Sequence, residues 1–158
     1  MNNFNTADLC DDHKLAIAQP IFKSYGANTH CHGRIRTVEA VEDNSYVKKL
    51  LQEDGTGCIM VVDGKSSEKC ALVGDNLAAI AAKNNWAGII VNGCIRDSLE
   101  ISKIKISIKA LNLVPNKSQK KDIGQYKIDL KFAGIVFREN DFLYSDPDGI
   151  VVSSSELL

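Results

Sequence analysis

Asp75, Arg96, Asp97 and Glu100 are the residues of this 158-residue chain whose types and spacing suit chemistry. Three carboxylates offer hard oxygen ligands of the kind Mg²⁺ or Mn²⁺ takes, with waters completing the shell. A guanidinium beside them can pair bidentately with a carboxylate. Gly74 precedes the helix-like run Asp75–Lys83, with Asp75 at its cap, and the first backbone N–H groups of this run lack partners within the helix and form a seat for an anion. Gly74 lets such a ligand approach the backbone closely. The apolar run Ala87–Val91 reads as a strand, followed by a turn at Asn92-Gly93 that leads to Arg96-Asp97. In α/β folds, ligands gather at the carboxyl ends of strands. If Ser98–Ser102 is a helical turn, Asp97 and Glu100 share a face. Piece by piece there are plainer readings: a simple helix cap for Gly74-Asp75, and a surface Arg–Asp pair with a capping box for Asp97 and Glu100.

The elements that must position these residues follow from patterning. Thr6 reads as the N-cap of a short helix, 6–12. Pro20–Gly26 looks irregular, and Gly33–Val41 reads as a strand. Asp43-Asn44 starts a helix over 45–52 that Gly55-Thr56-Gly57 closes. Cys58–Gly64 and Cys70–Val73 are continuous apolar runs, expected of strands covered on both faces. Ile101–Val114 alternates as a strand with one wet face, and Pro115–Gln125 is a polar loop. Short strands are expected at 126–132, 134–137, 141–144 and 149–152, with a turn at Asp146–Gly149. Alternating strands and helices followed by mostly strands predict a single α/β domain over residues 1–158, a layered αββα-type sandwich.

Composition narrows the classes. A net charge of −1 gives no global call for nucleic acid or an anionic membrane. The late lysines, Lys103, Lys105, Lys109, Lys117, Lys120, Lys121, Lys127 and Lys131, read as a solvated face, or as a contact face for an acidic partner. The opening residues Met1–Thr6 show no signal peptide, and no run approaches the length of a membrane span. Five widely spaced cysteines suit buried free thiols in a reduced, cytoplasmic setting. His30 and His32 would share a strand face without a further ligand nearby. Cys94 lacks a sequence-adjacent histidine and reads as a buried thiol, and Trp86 as core.

Val73–Ala78 followed by Asn85–Asp97 resembles the RraA-like family, which includes the regulator of ribonuclease E activity and the class II 4-hydroxy-4-methyl-2-oxoglutarate aldolases. Thr6–Asp11, Phe22–Gly26, Val61–Gly64 and Leu143–Val152 resemble family segments too. Asp75, twenty residues, Arg96-Asp97 and then Glu100 is similar to the pattern of the aldolase branch. The ending at Leu157-Leu158 looks like the compact regulator branch. The resemblance implies a swivelling-domain β/β/α sandwich, a homotrimer and a lyase that cleaves a 2-oxo acid to pyruvate, with oxaloacetate decarboxylation through the same enolate. The metal, Mg²⁺ or Mn²⁺, would be held by Asp97. Asp75 and Glu100 would act through waters. Gly74, Asp75, Asn76, Leu77 and Arg96 would bind substrate, and Arg96, Asp75 and Glu100 would serve catalysis. The alternative is a non-catalytic regulator that binds ribonuclease E.

Overall fold

The computed structural model describes residues 4–158. Residues 1–3, part of the segment read as free of a signal peptide, lie outside the described residues. In chain order the elements are α1 (Thr6–Asp12), β1 (Ala16–Ile17), β2 (Lys23–Ser24), β3 (Cys31–Glu39), α2 (Ser45–Leu51), β4 (Cys58–Asp63), β5 (Ala71–Val73) and α3 (Asp75–Lys83). Then come β6 (Gly88–Ile95), α4 (Ser98–Ile101), β7 (Ser107–Leu113), β8 (Gln125–Tyr126), β9 (Leu130–Phe132), β10 (Ile135–Phe137), β11 (Phe142–Asp146) and β12 (Gly149–Ser153).

One ten-stranded sheet runs β1-β12-β11-β3-β4-β6-β7-β2, with β5 added to β6 and β8 to β3. The antiparallel pair β9–β10 stands apart. The central strands β3, β4, β6 and β7 are mutually parallel. Strand β4 is buried at every position, because each of its faces meets a different core. Cys58, Met60 and Val62 pack with Val47 and Leu51 of α2 and with Leu77, Ala78 and Ala81 of α3. Ile59 and Val61 pack with Leu130, Phe137, Leu143 and Ile150. This period-two division of one apolar run explains why the run carries no polar alternation. The architecture is mixed α/β, dominated by its sheet. Among the described residues, no helix is long and apolar enough to cross a membrane.

Four local expectations are corrected. Strand β6 does not turn at Asn92-Gly93 but continues to Ile95, with a register irregularity against β7 between Val91 and Cys94. The Asn92 side chain is held inside the fold, donating to Asp63 Oδ1 at 2.9 Å, so the Asn-Gly pair is not free to make a surface turn. Ile101–Val114 is not one half-wet strand. It is the short helix α4, a loop, and then β7, whose first four residues are buried. Lys109 is therefore 4% exposed rather than solvated, and its Nζ donates to the Asp146 carbonyl at 2.7 Å. Thr6 is not an N-cap, since Asn5 holds that position. The Thr6 hydroxyl and N–H both donate to the Asp146 carboxylate at 2.7 Å.

Cys94 and Trp86 are buried, at 2% and 6% exposure. Burial is the main cause that pushes the Cys94 thiol pKa up. The ring of Phe4 meets His30 and His32 edge-on, each at 5.6 Å, and His32 stacks on Tyr144.

Candidate functional site

Strands β5 and β6 pair in parallel, with Val73 opposite Ile95. Helix α3 connects them, so the chain leaves both strands on the same side of the sheet. Gly74 and Arg96 are the next residues of each strand, and the Arg96 N–H donates to the Val73 carbonyl at 3.0 Å. This pairing brings together two segments separated by twenty residues.

Gly74 caps α3 in extended conformation (φ −122°, ψ −169°), and Asp75 is the first helical residue rather than the cap. The Asp75 carboxylate accepts the neighbouring Asn76 N–H at 2.8 Å. Asp97 precedes α4 in the left-handed region (φ 63°, ψ 42°), a conformation that Asp and Asn tolerate better than most side chains. Its carboxylate makes no cap on α4 and instead reaches α3, with Oδ2 accepting the Asp75 N–H at 3.2 Å. The Arg96 Nε lies 3.8 Å from the same oxygen, and its Nη1 donates to the Pro115 carbonyl at 3.4 Å.

A cleft of about 190 Å³ opens here. Gly74, Asp75, Asn76, Leu77, Arg96 and Asp97 all line it. Glu100 is absent from its lining; that side chain is 59% exposed and pairs with Lys103 at 3.2 Å. The left-handed turn at Asp97 separates the two acids, which an unbroken helix would have aligned.

The spacing of acids and arginine did not reveal the rest of the wall. Asn44 before α2, Lys48 of α2, Lys117, Ser118 and Lys120 of the loop after β7, and Ala71 and Ile80 also line it. The lysine run at 117–121 was the available signal. Asp43 fixes that loop by accepting the N–H groups of Lys121 (2.7 Å) and Ile123 (3.1 Å), besides the Ser45 N–H and hydroxyl. Burial pushes the Asp43 carboxyl up, but these donors outweigh it and hold its pKa down at about 2.

The donor set fits a hard divalent cation in one respect. A Cβ built on Gly74 would lie 2.7 Å from Asp97 Oδ2, so the glycine keeps open the space beside that oxygen. Among the described residues, no three His, Cys, Asp or Glu side chains stand close enough to share an ion. An ion here would therefore depend on one carboxylate with waters and ligand oxygens, a mode Mg²⁺ commonly adopts.

A family model described as "RraA-like: Aldolase/RraA" matches residues 6–152. A curated relative from Alkalilimnicola ehrlichii, named by inference a 4-hydroxy-4-methyl-2-oxoglutarate aldolase, is 48% identical over 97% of this chain and 96% of its own. The structure of the RNA-processing inhibitor RraA from Thermus thermophilis superposes with a TM-score of 0.96 at 36% identity, covering 99% of this chain and 96% of that one. The structure of an S-adenosylmethionine:2-dimethylmenaquinone methyltransferase from Geobacillus kaustophilus superposes with a TM-score of 0.95 at 40% identity, covering 98% of this chain and 97% of that one.

Proposed function

Because the chain belongs to the RraA-like family, we propose that it is a divalent-metal-dependent lyase that cleaves 4-hydroxy-4-methyl-2-oxoglutarate to two molecules of pyruvate and also decarboxylates oxaloacetate. The convergence of Gly74–Leu77, Arg96 and Asp97 on one cleft carries this reading.

Arg96 binds the carboxylate of the 2-oxo acid beside the N-terminus of α3, where the Asp75 and Asn76 N–H groups already go to Asp97 and Asp75. The Arg96 guanidinium is steadied by the Pro115 carbonyl and Asp97, so it needs little reorganisation as charge grows. The bond between C3 and C4 breaks, and its electron pair moves through C3 to the C2 keto oxygen. Arg96 stabilises the charge that develops there. The C4 hydroxyl must lose its proton as C4 becomes a keto carbon; Asp75 takes it directly or through a water, and the C3 of the resulting enolate is then protonated. With oxaloacetate, carbon dioxide leaves in place of the second pyruvate, and the same charge is stabilised. Asp97 is the side chain that would hold Mg²⁺ or Mn²⁺, and such an ion supplies Lewis-acid stabilisation of the keto oxygen. Glu100, turned toward Lys103, has no part in this scheme.

The methyltransferase name of the Geobacillus neighbour does not transfer well. S-adenosylmethionine carries a cationic sulfonium, whereas four cationic side chains and two carboxylates face this cleft. A second reading, a protein that binds and inhibits ribonuclease E, is supported by the likeness to the Thermus RraA and does not exclude the first. Pyruvate release from both substrates, measured by a coupled assay with and without Mg²⁺, tests the lyase reading. An inactive wild-type protein overturns it. Capture of ribonuclease E by an Asp97→Asn variant would support the second.

A further inference from the structure

On the premise that the cleft receives a 2-oxo acid, we propose that Asn44 and Ser118 recognise the C4 hydroxyl of the aldol substrate and so set the balance between aldol cleavage and decarboxylation. Two polar groups of the cleft wall lack partners, and they carry the proposal. The Asn44 Nδ2 donates to the Leu72 carbonyl at 2.9 Å. That contact fixes the orientation of the amide, because a flipped amide would set two oxygens against each other. Its Oδ1 is shielded from bulk water and accepts no hydrogen bond, an arrangement that folded proteins seldom tolerate. Two other described side-chain atoms share this condition, on Asp63 and Ser145, but neither residue lines this cleft. Asn44 does line it, so a ligand seated there can supply the missing donor. Ser118 lines the same cleft at 7% exposure, and its hydroxyl bonds to no other described residue.

Both residues are tied to β5, the strand that leads into Gly74. The Leu72 carbonyl held by Asn44 lies two residues before that glycine, and Lys117, next to Ser118, bridges to Ala71 of the same strand. Asp43, next to Asn44, accepts the N–H groups of Lys121 and Ile123 from the loop that carries Ser118. The two side chains are thus set in a fixed relation beside the residues that bind the 2-oxo head. Their chemistry matches a hydroxyl. An amide oxygen only accepts, whereas a serine hydroxyl can donate. A group that both donates and accepts satisfies the pair; a carboxylate or keto oxygen would meet Asn44 Oδ1 as one acceptor against another. In ionised 4-hydroxy-4-methyl-2-oxoglutarate the C4 hydroxyl is the one donor, and oxaloacetate in its keto form has none. The hydroxyl donates to Asn44 Oδ1 and accepts from Ser118 in the bound substrate. When the C3–C4 bond breaks, its proton passes to Asp75 and its oxygen becomes a keto acceptor. Ser118 still donates to that oxygen, while the Asn44 contact is lost, which favours release of the second pyruvate. A site that pairs a substrate hydroxyl in this way discriminates against a substrate lacking one.

The ratio of kcat/KM for 4-hydroxy-4-methyl-2-oxoglutarate to that for oxaloacetate tests this, measured by coupled assay of pyruvate in Mg²⁺ buffer with spontaneous decarboxylation subtracted. Ser118→Ala should lower the ratio about fivefold, the scale of one hydrogen bond, with an unchanged thermal midpoint. Ser118→Thr, which keeps the hydroxyl, should restore most of it. Asn44→Ala should lower the same ratio by about fivefold or more. That variant also loses the contact to Leu72, and Ser118→Ala keeps the test decisive if it fails to fold. The proposal is overturned if Ser118→Ala leaves the ratio unchanged, if folded Asn44→Ala lowers both reactions alike, or if the wild type decarboxylates oxaloacetate without cleaving the aldol. If the wild type releases no pyruvate from either substrate, the lyase reading fails as well, so the two failures are distinguishable.

Discussion

The Asp75 N–H donates to Asp97 Oδ2 across 3.2 Å, joining the first residue of α3 to the residue that ends the β6 excursion. One carboxylate thus holds the two halves of the cleft in register and still faces its open side. Asp97→Asn should keep the left-handed backbone and the contact to Asp75 while removing the anionic ligand. Metal-dependent pyruvate release is expected to fall at least about a hundredfold, with a thermal midpoint close to wild type. Asp97→Ala should lose activity similarly and also some stability, since alanine occupies that backbone region less readily. Unchanged turnover in Asp97→Asn would remove Asp97 from the site.

Arg96→Lys keeps the charge but loses the forked guanidinium. A drop in kcat for oxaloacetate of about tenfold or more is expected, and Arg96→Ala should fall further. If Arg96 only braced the Pro115 carbonyl, the lysine variant would retain full kcat in steady-state assays.

Gly74→Ala is a sharper probe. Gly74 has a backbone conformation any residue adopts, and Gly at an N-cap differs from Ala by about 1 kcal/mol or less. The added methyl would meet Asp97 Oδ2 at 2.7 Å and Arg96 Cγ and Nε at 3.5 Å. Activity and Mg²⁺ affinity should drop together in titrations followed by calorimetry, while denaturant midpoints shift little.

Asp43 sets a pH dependence. Its folded-state pKa lies near 2, below the ordinary 3.8, so its contribution to stability is full above about pH 4 and is lost as pH falls toward 2. The shift corresponds to about 2 kcal/mol. Urea unfolding between pH 2 and 5 should show this slope in the wild type and a flatter one in Asp43→Asn. The variant should also loosen the loop bearing Lys117 and Lys120, which amide exchange at Lys121 and Ile123 would register.

The inner half of the cleft was legible because its residues lie within one β–α–β unit, where Gly-Asp before a helix and Arg-Asp after a strand announce themselves locally. Strands β4 and β6 were legible as apolar runs. The outer half was not, because Lys48 and the 117–121 loop meet the unit only through tertiary packing. Asp43 looked like a helix start; its grip on Lys121 and Ile123 depends on a loop nearly eighty residues away. Strand β6 overran its apparent Asn-Gly turn for the same reason, since Asp63 holds Asn92 from another strand. Glu100 shows a different case. The helical turn expected over Ser98–Ser102 is present as α4, but Asp97 enters it in the left-handed region, and Glu100 pairs with Lys103 rather than lining the cleft.

The parallel pairing of β5 with β6 places the whole inner end of the cleft within residues 71–97, whereas the lysine wall comes from segments on either side of that stretch. The two walls of the cleft are thus written in separable stretches of sequence, so that α2 and the 115–123 loop could be exchanged between relatives while the β5–α3–β6 wall stayed as it is.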